Sequence, residues 1–153
     1  MLRFLLVFAL LAPSMLWASS TPDEVLDALH ARASAADYDG YFALYTDDAV
    51  FLGTDASERW PIDAFKAYTR ERFAAGAGWT YSPVERFVSG EGDVRWFDEL
   101  LEGEVLGPCR GTGVLRRGAD GEWRIAQYSL SVLVPNEIVE DVVAQGMALR
   151  RQQ

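Results

Sequence analysis

Apolar side chains recur at helical spacing in the first half of the chain. They follow one another at intervals of three or four positions over 25–33, directly after Thr21-Pro22-Asp23-Glu24, a sequence that suits a capped helix start. A second, shorter helix is predicted from Asp37, and a third from Pro61. This half of the chain therefore predicts three helices, with a short apolar strand at 49–52 between the second and the third.

In the second half, apolar and polar residues alternate. Four strands are predicted, separated by glycine-rich turns, at 79–88, 94–102, 108–117 and 122–134. A terminal helix is predicted at 137–150. Helices followed by hairpins indicate an α+β fold, in which the helices pack on a curved antiparallel sheet.

The alternation also predicts which residues share a face of the sheet. Tight turns set Asp98 opposite Arg110 and gather large aromatic and polar side chains on one face. These residues are Trp79, Tyr81, Glu85, Trp96, Asp98, Arg110, Thr112, Gln127 and Ser129. Aromatic walls with a few polar groups are typical of a small-molecule pocket, so we expect this face to line one. The alternative is a solvated outer face with one ion pair, and a slip of one residue would exchange the two faces.

Length and charge restrict the function further. The 153 residues suit one domain, and a formal charge of −9 argues against a nucleic-acid partner.

Residues 1–20 are interpreted as a signal peptide, with Arg3 ahead of an apolar run and small residues at Ala18 and Ser20. We therefore expect a periplasmic or secreted protein, with no membrane association after cleavage and its domain at 21–153. Cys109 is the single cysteine and is expected to be a buried apolar side chain.

Four segments resemble a known family. The sequences FLGTDASERW (51–60), WFDE (96–99), CRGTG (109–113) and QYSLS (127–131) are similar to the SnoaL-like branch of the nuclear transport factor 2-like superfamily. The resemblance covers the chain from Asp23 to about Asn136 and implies a cone, in which helices close over a bent sheet around one pocket. It also implies a homodimer formed through the sheet, and it places the loop from Asp55 to Trp60 near the pocket. Isomerases, cyclases, dehydratases and binding modules share this fold, so the fold does not decide the function.

Candidate chemistry follows from the predicted face and this loop. Asp98 is the candidate general base, with a structural ion pair to Arg110 as the alternative. Glu58 and Asp55 could supply a second carboxylate or simply cap the next helix. Arg110 could bind an anionic group, Trp60 and Trp96 could stack on a ring or pack in the core, and Tyr81 belongs to the same wall. The expected hydrogen-bonding groups for a ligand are Thr112, Gln127 and Ser129.

Other chemistries are disfavoured by the sequence. His30 is the single histidine and lies two positions from Arg32, which we expect to be exposed, so neither a histidine metal site nor a serine triad is predicted. The Gly111-Thr112-Gly113 sequence lacks the third glycine of a dinucleotide loop and is expected to let Tyr128 lie across the strand. We expect no metal and no cofactor.

Three functions remain open at this point. The first is an exported binding domain for a small, partly apolar, perhaps anionic molecule. The second is an acid–base enzyme, an isomerase, dehydratase or cyclase, with Asp98 as base. The third is a protein-interaction domain that uses the outer face of the sheet and Phe97.

Overall fold

A computed structural model describes residues 20–152. Its helices are α1 (Pro22–Ser34), α2 (Tyr38–Ala43), α3 (Ile62–Ala74) and α4 (Val139–Arg150), the last preceded by a 3-10 turn at Asn136–Ile138. The proposed signal peptide lies outside the described residues, apart from Ser20. Within 20–152, no helix is both long and apolar enough to cross a membrane.

Six strands form one curved, unclosed sheet. They are β1 (Tyr45–Leu52), β2 (Arg59–Pro61), β3 (Tyr81–Ser89), β4 (Val94–Gly103), β5 (Gly107–Arg117) and β6 (Trp123–Val132). Their order across the sheet is β2-β1-β6-β5-β4-β3. The predicted α+β fold with helices on a curved sheet is confirmed, with one difference, because β1 and β6 run parallel rather than antiparallel.

The first helix forms as its sequence predicts. The Thr21 hydroxyl accepts a hydrogen bond from the Glu24 backbone N–H, and the Glu24 carboxylate accepts one from the Thr21 backbone N–H. This reciprocal cap satisfies two donors that a helix start would otherwise leave unpaired. The apolar stripe of α1, which includes Leu26 and Leu29, is buried against the sheet.

Two elements differ from the predicted ones. β1 begins at Tyr45 rather than at residue 49. The loop before α3 contains β2, a three-residue strand that pairs antiparallel with β1 and sets Phe51 beside Trp60. A strand this short carries too little alternation to be read from sequence.

One face of the sheet carries the core. Helices α1, α2 and α3 pack against it over a buried set of strand residues that includes Phe97, Leu101, Leu115 and Ile125. Apolar side chains on the opposite, outer face are largely exposed, with Phe87 at 54% and Trp96 at 58%. The pocket described below therefore lies on the helix-covered face.

The strand register corrects the predicted assignment of faces. Asp98 pairs with Thr112, and Leu100 pairs with Arg110, so the direct pairing of Asp98 with Arg110 is wrong by two positions. A two-residue shift preserves the face, and the predicted set from β4, β5 and β6 does share one. That face is the outer one, because alternate residues such as Phe97 and Leu101 are the buried ones.

A bulge explains why β3 behaves differently. The register of β3 against β4 shifts between Pro83 and Glu85. Tyr81, before the bulge, and Arg86, after it, consequently point to the same inner face despite their odd separation. Contrary to the prediction, Tyr81 therefore does not share a face with Trp96 and Asp98 but lies on the inner face, whereas Glu85 is exposed on the outer face with them.

Candidate functional site

A cavity of about 210 Å³ opens between the helices and the inner face of the sheet. Its lining is mainly aromatic and aliphatic, which is the usual character of a small-molecule site. The lining residues are Leu29, His30, Ala33, Tyr41, Phe51, Gly53, Thr54, Glu58, Trp60, Phe65, Tyr68, Trp79, Tyr81, Leu106, Tyr128 and Leu130. A cavity of roughly 150 Å³ is enough to hold benzene, so this one is large enough for a single substituted ring.

Several of the wall rings are nearly parallel. Phe51 from β1 stacks on Phe65 from α3 at 4.1 Å between ring centroids and 9° between planes. Tyr128 lies 3° from the plane of Phe51, and Trp79 lies 14° from that of Phe65. Offset parallel rings favour contact with a further flat ring. The pocket wall is therefore suited to a planar ligand.

A buried carboxylate organises the polar side of the pocket. Glu99, on β4, is fully buried and accepts hydrogen bonds from three side chains. His30 Nε2 lies 2.8 Å from Glu99 Oε1, the Tyr128 hydroxyl 3.1 Å from the same oxygen, and Arg86 Nε 2.9 Å from Oε2. Of these four residues, His30 and Tyr128 reach the pocket lining.

Arg86 links this cluster to the surface of α1. Its Nη1 atom lies 2.8 Å from the Asp27 carboxylate and 3.5 Å from that of Asp23. Both aspartates are mostly exposed, at 68% and 62% of their side chains. The buried charges are thus one carboxylate and one guanidinium, with two solvated carboxylates behind the guanidinium.

The environment shifts the pKa values of this cluster in opposite directions. Burial raises the pKa of Glu99, but hydrogen bonds and charge from His30 and Arg86 outweigh it, so that the pKa lies below its ordinary value. Burial and the neighbouring Glu99 carboxylate hold the pKa of Tyr128 well above 10. Glu99 is therefore ionised and Tyr128 neutral at pH 7.

Phenol groups supply further polar atoms of the wall. The Tyr41 and Tyr45 hydroxyls lie 2.9 Å apart, and Tyr41 also lines the pocket. Burial raises the pKa of Tyr41, Tyr45 and Tyr81. All three hydroxyls stay protonated at neutral pH and can donate or accept a hydrogen bond.

A glycine makes room for the Tyr128–Glu99 contact. A Cβ atom at Gly111 would lie 2.3 Å from the Tyr128 hydroxyl and 3.0 Å from Glu99 Oε1. Such distances are too short for any side chain, so the bare backbone of β5 is required here. The expectation that this glycine lets Tyr128 lie across the strand is confirmed.

The mouth of the pocket carries acid and aromatic groups. Glu58 lies in the lining, and its Oε2 atom accepts a hydrogen bond from the Asp55 backbone N–H at 3.2 Å. Trp60 stacks on Tyr68, with centroids 5.0 Å apart. Among the described residues, no arginine or lysine belongs to the lining.

A comparison with known families identifies the chain. The family described as the SnoaL-like domain matches residues 23–135. The chain belongs to the SnoaL-like domain family. No curated protein matches.

Solved structures show the same fold. A nuclear transport factor 2-like protein of unknown function from Pseudomonas putida KT2440 is 17% identical, with a TM-score of 0.63 over 75% of this chain and 86% of that one. A nuclear transport factor 2-like protein from Cytophaga hutchinsonii is 17% identical, with a TM-score of 0.60 over 74% and 99%. A ketosteroid isomerase-like protein from Erwinia carotovora atroseptica is 21% identical, with a TM-score of 0.54 over 74% and 94%. At these identities the likeness shows the nuclear transport factor 2-like fold and no specific activity.

The SnoaL-like domain brings only part of the predicted site together. Glu58, Trp60 and Tyr81 line the pocket, and Asp55 lies beside Glu58 at the mouth. The other predicted residues lie outside the lining, on β4, β5 and β6. They are Trp96, Asp98, Arg110, Thr112, Gln127 and Ser129.

Sequence reasoning missed His30 and Glu99 because polar residues were assigned to solvent. A usable signal was present in both cases. His30 follows Leu26 by four positions and precedes Ala33 by three, so it lies within the apolar stripe of α1. Glu99 lies between Phe97 and Leu101 in the buried alternation of β4. A polar or charged side chain on a buried face needs a hydrogen-bonding partner. His30 and Glu99 are partners of each other.

A second depression lies between β1 and the β5–β6 turn. It is lined by Thr46, Gly118 and three arginines, Arg116, Arg117 and Arg124. Asp48 pairs with Arg116, and Asp120 pairs with Arg124 at 2.6 Å. Two of the three arginines thus have carboxylate partners, which disfavours an anion site. Within 20–152, no group of three or more His, Cys, Asp and Glu residues could hold a metal ion.

Proposed function

We propose that this SnoaL-like domain binds a small, neutral, flat ring compound in the pocket between its helices and sheet. The observation that carries the proposal is the set of nearly parallel rings around a 210 Å³ cavity with one polar side. An anionic ligand had been expected from Arg110, but Arg110 lies outside the lining. The carboxylate of Glu58 at the mouth would repel an anion, so a neutral ligand fits better.

Two matched tryptophans test this proposal. Trp60 lies at the pocket mouth, whereas Trp96 lies on the outer face. Calorimetric titration with 4-ethylphenol or 4-ethyltoluene should give a dissociation constant of about 0.1–1 mM in the wild type. We expect Trp60→Ala to weaken binding about tenfold and Trp96→Ala to leave it unchanged. Equal loss in both variants, or no binding by the wild type, would refute the proposal.

A second candidate is an acid–base enzyme, and the hydrogen bond from His30 to Glu99 favours it. A carboxylate that holds an imidazole in one orientation is a common arrangement for a general base. His30 replaces Asp98 in this role, because Asp98 is on the outer face. Deuterium uptake from D2O by a ring compound that binds would report proton transfer. His30→Gln should abolish the uptake, while Asp98→Asn should not affect it.

Export and self-association are proposals supported by the sequence and the surface. Cleavage after Ala18 or Ser20 would be seen by mass spectrometry of the protein recovered from the producing cell. The exposed Phe87 and Trp96 on the outer face support a homodimer formed through the sheet. Light scattering should give twice the chain mass, and a monomer at tens of micromolar would refute it.

A further inference from the structure

The apolar side chains of α4 lie on one half of the helix, and this half is exposed to solvent. At about 100° per residue, the large ones fall within about 160° of the helix circumference. They are Val139, Val142, Val143, Met147 and Leu149, and each is between 39% and 62% exposed. Gly146 and Arg150 share this half, whereas Ala148, which is half-buried, lies on the opposite one. The apolar half of α4 therefore does not pack on its own domain.

Helix α4 follows the part of the chain that matches the SnoaL-like family. The match ends at residue 135, and α4 begins at Val139. The main contact of α4 is with the 3-10 turn directly before it. Most helices of this length depend for their stability on packing of an apolar face, and a contiguous exposed apolar surface marks an interaction site. The exposed half of α4 therefore indicates a partner outside the domain.

The charges beside this apolar half match those of a second copy in the opposite orientation. Glu140 and Arg151 are eleven positions apart, which is three turns and about 20°, so they lie on the same edge of the apolar half. In an antiparallel pair related by a two-fold axis, this edge of one helix faces the same edge of the other. Glu140 of each copy then lies near Arg151 of the other, whereas a parallel pair would oppose like charges.

Neither charge is used within the domain. Among residues 20–152, Glu140 and Arg151 form no salt bridge and no side-chain hydrogen bond. An acid near the start and a cation near the end complement the dipole of a single helix, but the dipole does not account for an exposed apolar half. A membrane surface is a poorer partner, because interfacial helices carry Lys and Arg along their polar half. The polar half of α4 carries Glu140 and Asp141 with a single cation, Arg151.

We propose that two copies of this chain associate through α4, with the helices antiparallel and their apolar halves in contact. The proposal does not depend on ring binding, and it concerns a surface other than the outer face of the sheet. The helix is about 18 Å long, so its contact is smaller than the roughly 1,200–2,000 Å² of a standard stable interface. We therefore expect a weak association, with a dissociation constant on the order of 0.1 mM.

A matched pair of substitutions tests the use of the apolar half. Val143→Glu places a charge in this half, and Ala144→Glu places the same charge on the polar half of the next position. Sedimentation equilibrium at about 1 mM should give a mean mass for the wild type and Ala144→Glu that approaches twice that of Val143→Glu. Any association through the sheet is common to all three proteins, so the ratio of masses reports α4 alone. Equal masses for the wild type and Val143→Glu, or equal losses in the two variants, would overturn the proposal.

Exchanging the charges tests the antiparallel orientation. Glu140→Arg alone and Arg151→Glu alone each oppose like charges in the antiparallel pair, so each should raise the dissociation constant about fivefold. In an equimolar mixture, the arginine introduced in one variant faces the glutamate introduced in the other, and the mean mass should return to that of the wild type. A mixture that is no heavier than the separate variants would contradict the proposed pairing. Damage to the helix itself would not be repaired by mixing, so this measurement separates lost pairing from lost folding.

Discussion

Replacing Glu99 by glutamine should destabilise the protein substantially while preserving the shape of the side chain. The change removes the buried charge that pairs with Arg86 Nε at 2.9 Å and accepts hydrogen bonds from His30 and Tyr128. Breaking a buried ion pair by removing one partner costs about 3–5 kcal/mol. Because Arg86 keeps Asp27 at 2.8 Å, we expect the low end of that range, about 3 kcal/mol.

The assay is urea unfolding followed by tryptophan fluorescence at pH 7. A loss of about 3 kcal/mol corresponds to a fall of roughly 9 °C in melting temperature for a domain of this size. Asp98→Asn is the control, since Asp98 is the preceding residue on the same strand but faces outward. We expect the control to change the free energy of unfolding by less than about 0.5 kcal/mol.

The pH dependence shows whether charge is the cause. The pKa of Glu99 in the folded protein lies below its ordinary value of 4.5. The stability it contributes is present above pH 4.5 and is lost as the pH falls through the lower, folded-state pKa. The difference between wild type and Glu99→Gln should therefore shrink below about pH 4.5. A difference that stays constant down to pH 3, or a loss no greater than that of Asp98→Asn, would refute the reasoning.

Three further predictions concern other contacts. Burial and the Glu99 carboxylate hold the pKa of Tyr128 well above 10, so the stability that this residue contributes should persist to about pH 10 and fall above it, and Tyr128 itself should ionise only on unfolding. Gly111→Ala should lower the free energy of unfolding by about 1–3 kcal/mol, because the added Cβ would clash with the Tyr128 hydroxyl. Gly146→Ala on α4 adds a Cβ in open space and should raise the free energy of unfolding by about 0.5–1 kcal/mol. Thr21→Ala should cost about 1 kcal/mol by removing the cap of α1, and urea unfolding would measure these changes.

The order of elements could be predicted from sequence because it depends on local signals. The capped start at Thr21 and the glycine-rich turns between β3 and β6 each lie within a few residues, and the elements next to these signals form close to their predicted positions. The resemblance to the SnoaL-like branch, carried by short segments across the chain, was sufficient to predict the fold.

The candidate site was harder to predict, because alternation groups residues by face without saying which face is covered. Trp96 and Asp98 do share a face with Thr112, but burial of that face depends on where the helices pack. A bulge after Pro83 cannot be read from an alternating pattern, and it changes the phase of β3. His30 and Glu99 lie 69 positions apart, so neither gives a local indication of its partner.

The parallel contact between β1 and β6 sets the order in which the sheet can form. Strands β3 to β6 are joined by short turns and can associate as hairpins, whereas β1 has to wait for β6, the last strand made. Closing so long a segment is entropically costly and slow. The His30–Glu99 contact also joins the two halves of the chain, across 69 positions. A molecule bound against His30 would therefore act mainly by slowing the separation of the two halves of the chain, and so would lengthen the lifetime of the folded protein more than it speeds folding.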